Sequence, residues 1–219
     1  MFNNFVEFFT GIFLEALGQT IYMVGVSAIL ATIIGFILAI ILVVTDDKGL
    51  KPNKIVNSTL GFIINILRSF PFIILVVAII PLTRAIVGKS IGETAALVPL
   101  TIGAAPFVAR VIEGALKEVD KGLIEAAKSF GASNTQIIFK VMVKEAMPSI
   151  VSGITLSIIS LIGYSAMAGA VGAGGLGAVA LTYGYQRFDT EVMIYTVITL
   201  IIIVQLLQGA GNLAYKKLK

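Results

Sequence analysis

The chain has 219 residues, of which 58% are hydrophobic and only 13% charged, with a net charge of +4 and a mean hydropathy of +1.01. A soluble domain carries about a quarter charged residues, so most of this surface must face something other than water. The absence of Cys and His excludes disulfide frameworks, thiol nucleophiles, imidazole bases and most zinc sites.

The opening residues, MFNNFVEFFTGIFLEAL, place Phe2, Phe5, Phe9, Ile12, Phe13 and Ala16 at near-helical spacing. This fits an amphipathic helix on the outer interface, or equally an early start to the first span. No basic run precedes them, which speaks against a cleaved signal peptide. Five stretches then reach the roughly 20 apolar residues that a bilayer-crossing helix needs. The first, about 19–45, has no charged residue. The second, about 55–81, is interrupted only by Arg68 and should kink at Pro71. The third, about 93–112, is bracketed by Glu93 and Arg110, whose long side chains can reach the interface. The fourth covers about 148–171 and the fifth about 192–215, with a polar segment, about 113–147, between the third and fourth. No repeat or linker divides the chain. The expectation is one all-α polytopic membrane domain over 1–219.

The basic residues give that domain an orientation. Lys48, Lys51 and Lys54, then Arg110, Lys117, Lys121, Lys128, Lys140 and Lys144, then Lys216, Lys217 and Lys219 share one side if the spans alternate. Only Arg84, Lys89 and Arg187 fall on the other, with Arg68 inside a span. The positive-inside rule then puts the N-terminus outside and the C-terminus in the cytoplasm, and the basic charge marks topology rather than a nucleic-acid surface.

Several enzyme signatures fail. TRAIVGKS (83–90) ends like a Walker A loop, but Thr83 stands where its first glycine is required. Asp46 and Asp47 read as a solvated turn beside Lys48. Gly172, Gly174 and Gly177 spell G-x-G-x-x-G, yet a bilayer-length apolar run precedes them instead of a short strand. These glycines, with Gly175, read as a sharp turn or close helix packing at the outer end of the fourth span.

The polar segment is more informative. Asp120 suits an N-cap and Gly131 a C-terminal cap for one short helix. Leu123, Ile124, Ala127 and Phe130 form an apolar stripe along it, and Lys121 and Glu125 have the spacing of an ion pair. Ser133 and Gln136 have the spacing of a capping box for a second helix. The stripe can pack on the membrane domain or dock into another protein.

EAAKSFG (125–131) resembles the E-A-A-x-x-x-G loop of type I ABC importer permeases, through Glu125, Ala126, Ala127 and Gly131. LRSFPFIIL (67–75), VPLTIGAAPFVAR (98–110) and GYSAMAGAVGAGGLG (163–177) resemble the methionine-uptake permeases of that family. One departure stands out: Val143 and Lys144 occupy the place of the family's Leu-Pro, and Pro148 follows four residues later. The resemblance implies a bacterial plasma-membrane subunit with no cofactor of its own. Glu125 to Gly131, including Phe130, would form the coupling helix. ATP and Mg would bind to two separate ABC ATPase subunits. A second copy of the chain would complete the pathway, and an extracytoplasmic lipoprotein would deliver L-methionine, with D-methionine a further candidate. A permease for another amino acid or an osmolyte, a passive channel, and a non-transporting membrane scaffold are the competing readings.

Tyr164 and Met167 share one face of the fourth span just before the glycines; they can be plain packing or, given the resemblance, pathway lining. Gly172, Gly174, Gly175 and Gly177 would then sit at an outer gate. Arg68 can mark a functional position, but snorkelling to the cytoplasmic interface is the preferred expectation.

Overall fold

The structure is a computed structural model that describes residues 9–219. The expected amphipathic segment at Phe2 and Phe5 lies outside the described residues. A short wide turn at Phe9–Phe13 runs into α1 (Leu14–Thr45), followed by α2 (Lys54–Ser69), α3 (Phe72–Ala78), α4 (Ile80–Val87) and α5 (Glu93–Lys117). Then come α6 (Lys121–Ser129), α7 (Val143–Gly169), α8 (Gly175–Val179) and α9 (Thr190–Leu218). Among the described residues all regular structure is helical. Among the described residues, four helices are long and apolar enough to cross a membrane, or five spans if the bent α2–α3 pair counts as one.

The central packing is α1 against α5. α1 is apolar on every side, so polarity cannot choose its buried face; side-chain size does. Ala28, Ala31, Gly35 and Ala39 are buried, whereas Ile29, Ile33, Ile37 and Ile41 point outward. Opposite them α5 offers Ala104, Ala105, Val108 and Ala109. Small residues let two helix backbones approach closely, the usual device where lipid removes the hydrophobic drive between helices. At Gly35 a Cβ would come within 2.7 Å of a Val108 methyl, so any larger residue there would push the pair apart.

The stretch expected as one span over 55–81 is divided. Proline lacks an N–H and drives its predecessor into extended backbone. Phe70, before Pro71, accordingly has φ −72° and ψ 127°, and α2 and α3 meet at 103°. The change of direction is a break rather than a mild kink.

The segment between the third and fourth spans is also more helical than its composition suggests. α5 continues to Lys117, and the chain is helical without interruption from Asn134 to Gly169. At 1.5 Å per residue, these 36 residues form a rod about 54 Å long. Pro148 sits inside it without breaking it. A wide turn at Ile137–Met142, immediately before Val143 and Lys144, takes up the irregularity there. α9 lies along α7, with Gly211 close against Thr155, and presents Ile198, Ile201, Ile202 and Leu206 outward.

Candidate functional site

α6 has the local chemistry of an isolated, well-terminated helix. The Asp120 side chain accepts from the Gly122 amide at 2.6 Å. At the other end the Gly131 amide donates to the Lys128 carbonyl at 2.9 Å and the Ala132 amide to that of Ala127 at 3.0 Å. This is the Schellman arrangement, and it needs a left-handed residue at its turn. Gly131 supplies it with φ +77°. The next helix opens with a complete capping box: the Gln136 amide donates to Ser133 Oγ and the Ser133 amide to Gln136 Oε1.

The apolar stripe of α6 divides between two neighbours. Ile124 and Ala127 pack on the main core beside Ile137 and Ile138, at the foot of α7. Leu123 and Phe130 face away, and Phe130 is 91% exposed. Glu125 and Ala126 are exposed with them. The spacing of Lys121 and Glu125 does not produce an ion pair: among the described residues, none of the ion pairs joins them. Instead both line a groove of about 440 Å³ between α6 and the loop after α1, together with Asp46, Lys48, Lys117 and Lys128.

Asp46 is not merely a solvated turn residue. Its carboxylate accepts from Lys117 Nζ at 2.8 Å and from the Lys48 amide at 3.1 Å. The Lys117 hydrogen bond, with that amide, holds the Asp46 carboxyl below the usual carboxylate range. Lys117 also reaches the largely buried Glu113 at 2.8 Å. Glu113 in turn accepts from Arg110, which donates to the Gly61 carbonyl and Asn65 Oδ1 on α2. This chain of contacts ties the loop after α1, α2 and α5 together beside the foot of α6.

Tyr164 and Met167 both lie in the last two turns of α7. Tyr164 is half-buried and stacks on Phe72, with ring centroids 4.5 Å apart and planes 8° apart. Met167 is 48% exposed on the same helix and takes no part in that stack. Arg68, the last residue but one of α2, is exposed. Its guanidinium lies 6.0 Å from the centroid of Phe107, halfway along α5, and faces a cavity of about 130 Å³ shared with Phe72, Gly103 and Tyr164. The stacked Phe72 was not apparent from spacing, although its place directly after Pro71 at a broken span was a usable signal.

The glycines end α7 and fold the chain back onto it. Gly172, Gly174 and Gly175 have φ of +91°, +85° and +77°. The Gly175 amide donates to Gln19 Oε1 at 2.7 Å and the Leu176 amide to Thr20 Oγ1 at 2.9 Å, so the start of α8 is held by α1. Gln19 and Thr20 are polar residues opening an apolar run, and such side chains seek partners in a bilayer. Gly177 lies against the Ala166 backbone so closely that a Cβ would overlap it. Gly172 also accepts from the Gly92 amide, which links the turn to the start of α5. No group of acidic or sulfur ligands able to hold a metal occurs among the described residues.

Residues 31–217 match the family described as binding-protein-dependent transport system inner membrane component. The chain is 50% identical over 214 residues to a probable D-methionine transport system permease protein of Vibrio cholerae, covering 96% of this chain and 95% of that protein. It is 48% identical to the methionine import system permease protein of Bacillus subtilis, over 79% of this chain and 78% of that one. A chain of the MetNI methionine ABC transporter, solved in inward-facing conformations, superposes with a TM-score of 0.93 at 45% identity, covering 95% and 96% of the two chains. An all-helical membrane bundle with a terminated helix projecting from one end thus has close relatives in sequence and in structure. The chain belongs to the family of binding-protein-dependent transport system inner membrane components, the permease subunits of ABC importers.

Proposed function

We propose that this chain forms the translocation pathway of an ATP-driven methionine importer. One observation carries the reading: α6 stands out from the bundle, firmly capped, with Leu123 and Phe130 left bare while Ile124 and Ala127 root it to the foot of α7. Such a helix suits docking to a separate ATPase, with Glu125, Ala126, Ala127, Phe130 and Gly131 as its coupling segment. ATP and Mg would bind in that partner, not in this chain. The relatives that transport methionine support the choice of substrate.

The mechanism follows from the connections. ATPase closure displaces α6, and α6 moves the foot of α7. The chain is one continuous rod from Asn134 through α7 to Gly169, so its far end, with Tyr164, Met167 and the glycine turn, must respond. Tyr164 and Met167 would line the pathway at that end, and Gly172, Gly174, Gly175 and Gly177 would form its outer gate. Two copies of the chain enclose the pathway, and a substrate-binding lipoprotein supplies methionine from outside. The lysines beside α6 and at the end of α9 support, by the positive-inside rule, a cytoplasmic C-terminus and an outside N-terminus.

Competition tests the substrate. The permease is reconstituted with its ATPase and binding protein, and labelled L-methionine uptake is challenged with unlabelled L-methionine, D-methionine, other amino acids and betaine. Methionine should suppress uptake. No uptake of methionine, or stronger suppression by another amino acid or by betaine, would overturn the assignment.

A further inference from the structure

We propose that the cavity between Arg68, Phe72, Phe107 and Tyr164 is a transit site in which the Arg68 guanidinium takes the α-carboxylate of the amino acid being moved. This inference rests on the amino-acid reading above and adds a residue-level site to it.

Arg68 is unlike the other arginine near α2. Arg110 is neutralised by Glu113 and fixed by Gly61 and Asn65, so its charge has a structural use. None of the ion pairs or side-chain hydrogen bonds among the described residues engages Arg68. Its neighbour is the face of Phe107. An ionisable residue inside a span is costly and normally faces a partner or a water-filled path. Beside the middle of α5, with no carboxylate among the described residues paired to it, the missing partner is an anion that comes and goes.

The walls suit one end of an amino acid. A guanidinium presents a planar fork that matches a carboxylate through two parallel hydrogen bonds. Phe72 and Tyr164 stack to give a flat apolar wall, and Gly103 lets the Phe72 ring lie against α5, since a Cβ there would come within 3.2 Å of it. A thioether or other apolar side chain is at home against aromatic rings. The cavity, at about 130 Å³, is small beside the roughly 300–1,000 Å³ of enclosing ligand sites. It therefore holds one end of the solute, with the rest left toward the pathway. The site also adjoins the 103° break between α2 and α3, and transporter sites favour such breaks near the midplane. No acidic residue lines the cavity, so nothing there fixes the ammonium, which suits passage rather than retention.

The test uses the complete transporter in proteoliposomes with L-methionine, and with photo-methionine, whose diazirine replaces the thioether. Wild-type uptake is the control for the amino-acid reading: its absence overturns that reading, whereas the Arg68 variants address only the site. R68Q should lower uptake roughly 10- to 100-fold, the range expected for losing charge-assisted hydrogen bonds. R68K, which keeps the charge, should recover a substantial part. Photo-methionine should label Phe72, Phe107 or Tyr164, with protection by L-methionine but not by methioninamide, which lacks the carboxylate. Should R68Q prevent assembly, the wild-type labelling decides alone. Uptake by R68Q equal to wild type, or labelling that methioninamide blocks as well as methionine, would overturn the proposal.

Discussion

Replacing Phe130 by Ala separates docking from folding. Phe130 is 91% exposed, and only its backbone amide, donating to the Ala126 carbonyl, takes part in the helix end, so its ring contributes little to the isolated permease. Truncation there should stay within about 0.5 kcal/mol of wild-type stability. If the ring is buried in an ATPase groove, its loss removes about 1.5–3 kcal/mol of burial energy. At 1.4 kcal/mol per tenfold, the dissociation constant for the ATPase should rise roughly 10- to 100-fold. The assay is titration of purified ATPase onto permease in nanodiscs, alongside thermal unfolding of the permease alone. Ile29→Ala, on the outward face of α1, serves as the control and should leave docking unchanged. Wild-type affinity in F130A, or a loss of permease stability as large as the loss of docking, would refute the reasoning.

Two further outcomes follow from the packing. Gly177→Ala places a methyl into the Ala166 backbone and should destabilise the α7–α8 contact by about 1–3 kcal/mol, lowering transport while ATPase docking, at the other end of α7, is retained; unfolding temperature and the docking titration check both halves. Asp46→Asn should cost at most about 1 kcal/mol at neutral pH, because the Lys117 pair is partly exposed. The Asp46 pKa is depressed in the folded state, so the stabilisation is present above the ordinary value of 3.8 and is lost as pH falls through the lower folded value. The gap in unfolding temperature between wild type and D46N should therefore narrow below that pH, and a gap that widens on acidification would contradict the pairing.

Much of the architecture was legible because it depends on length and local chemistry. Apolar run length separates spans from loops, and the caps at Asp120, Gly131 and Ser133 are decided by residues within three positions of each helix end. What was hidden depends on distance in space. The buried face of α1 could not be read from polarity, since Ala28 and Ile29 are both apolar and differ only in size. The division of the α6 stripe was hidden for the same reason: Ile124 and Phe130 are equally apolar, and only the position of Ile137 and Ile138 decides which is covered. Asp46 is more than seventy residues from Lys117, and a short charged loop gives no sign of such a partner. The surroundings of Arg68 were likewise hidden, because they depend on the break that Pro71 puts between α2 and α3. The side chain lies beside Phe107, on a helix that no local spacing brings near it.

The central claim is that solute moves through this chain only when a separate ATPase drives it. The most direct measurement is accumulation of labelled L-methionine in proteoliposomes containing the permease, its ATPase and its binding protein, with ATP supplied on the ATPase side. The account predicts accumulation above the external concentration, lost when ATP is replaced by a non-hydrolysable analogue. Equilibration that proceeds without nucleotide would mark a passive channel, and no movement with a functional, docked ATPase would mark a scaffold. Either result would contradict it.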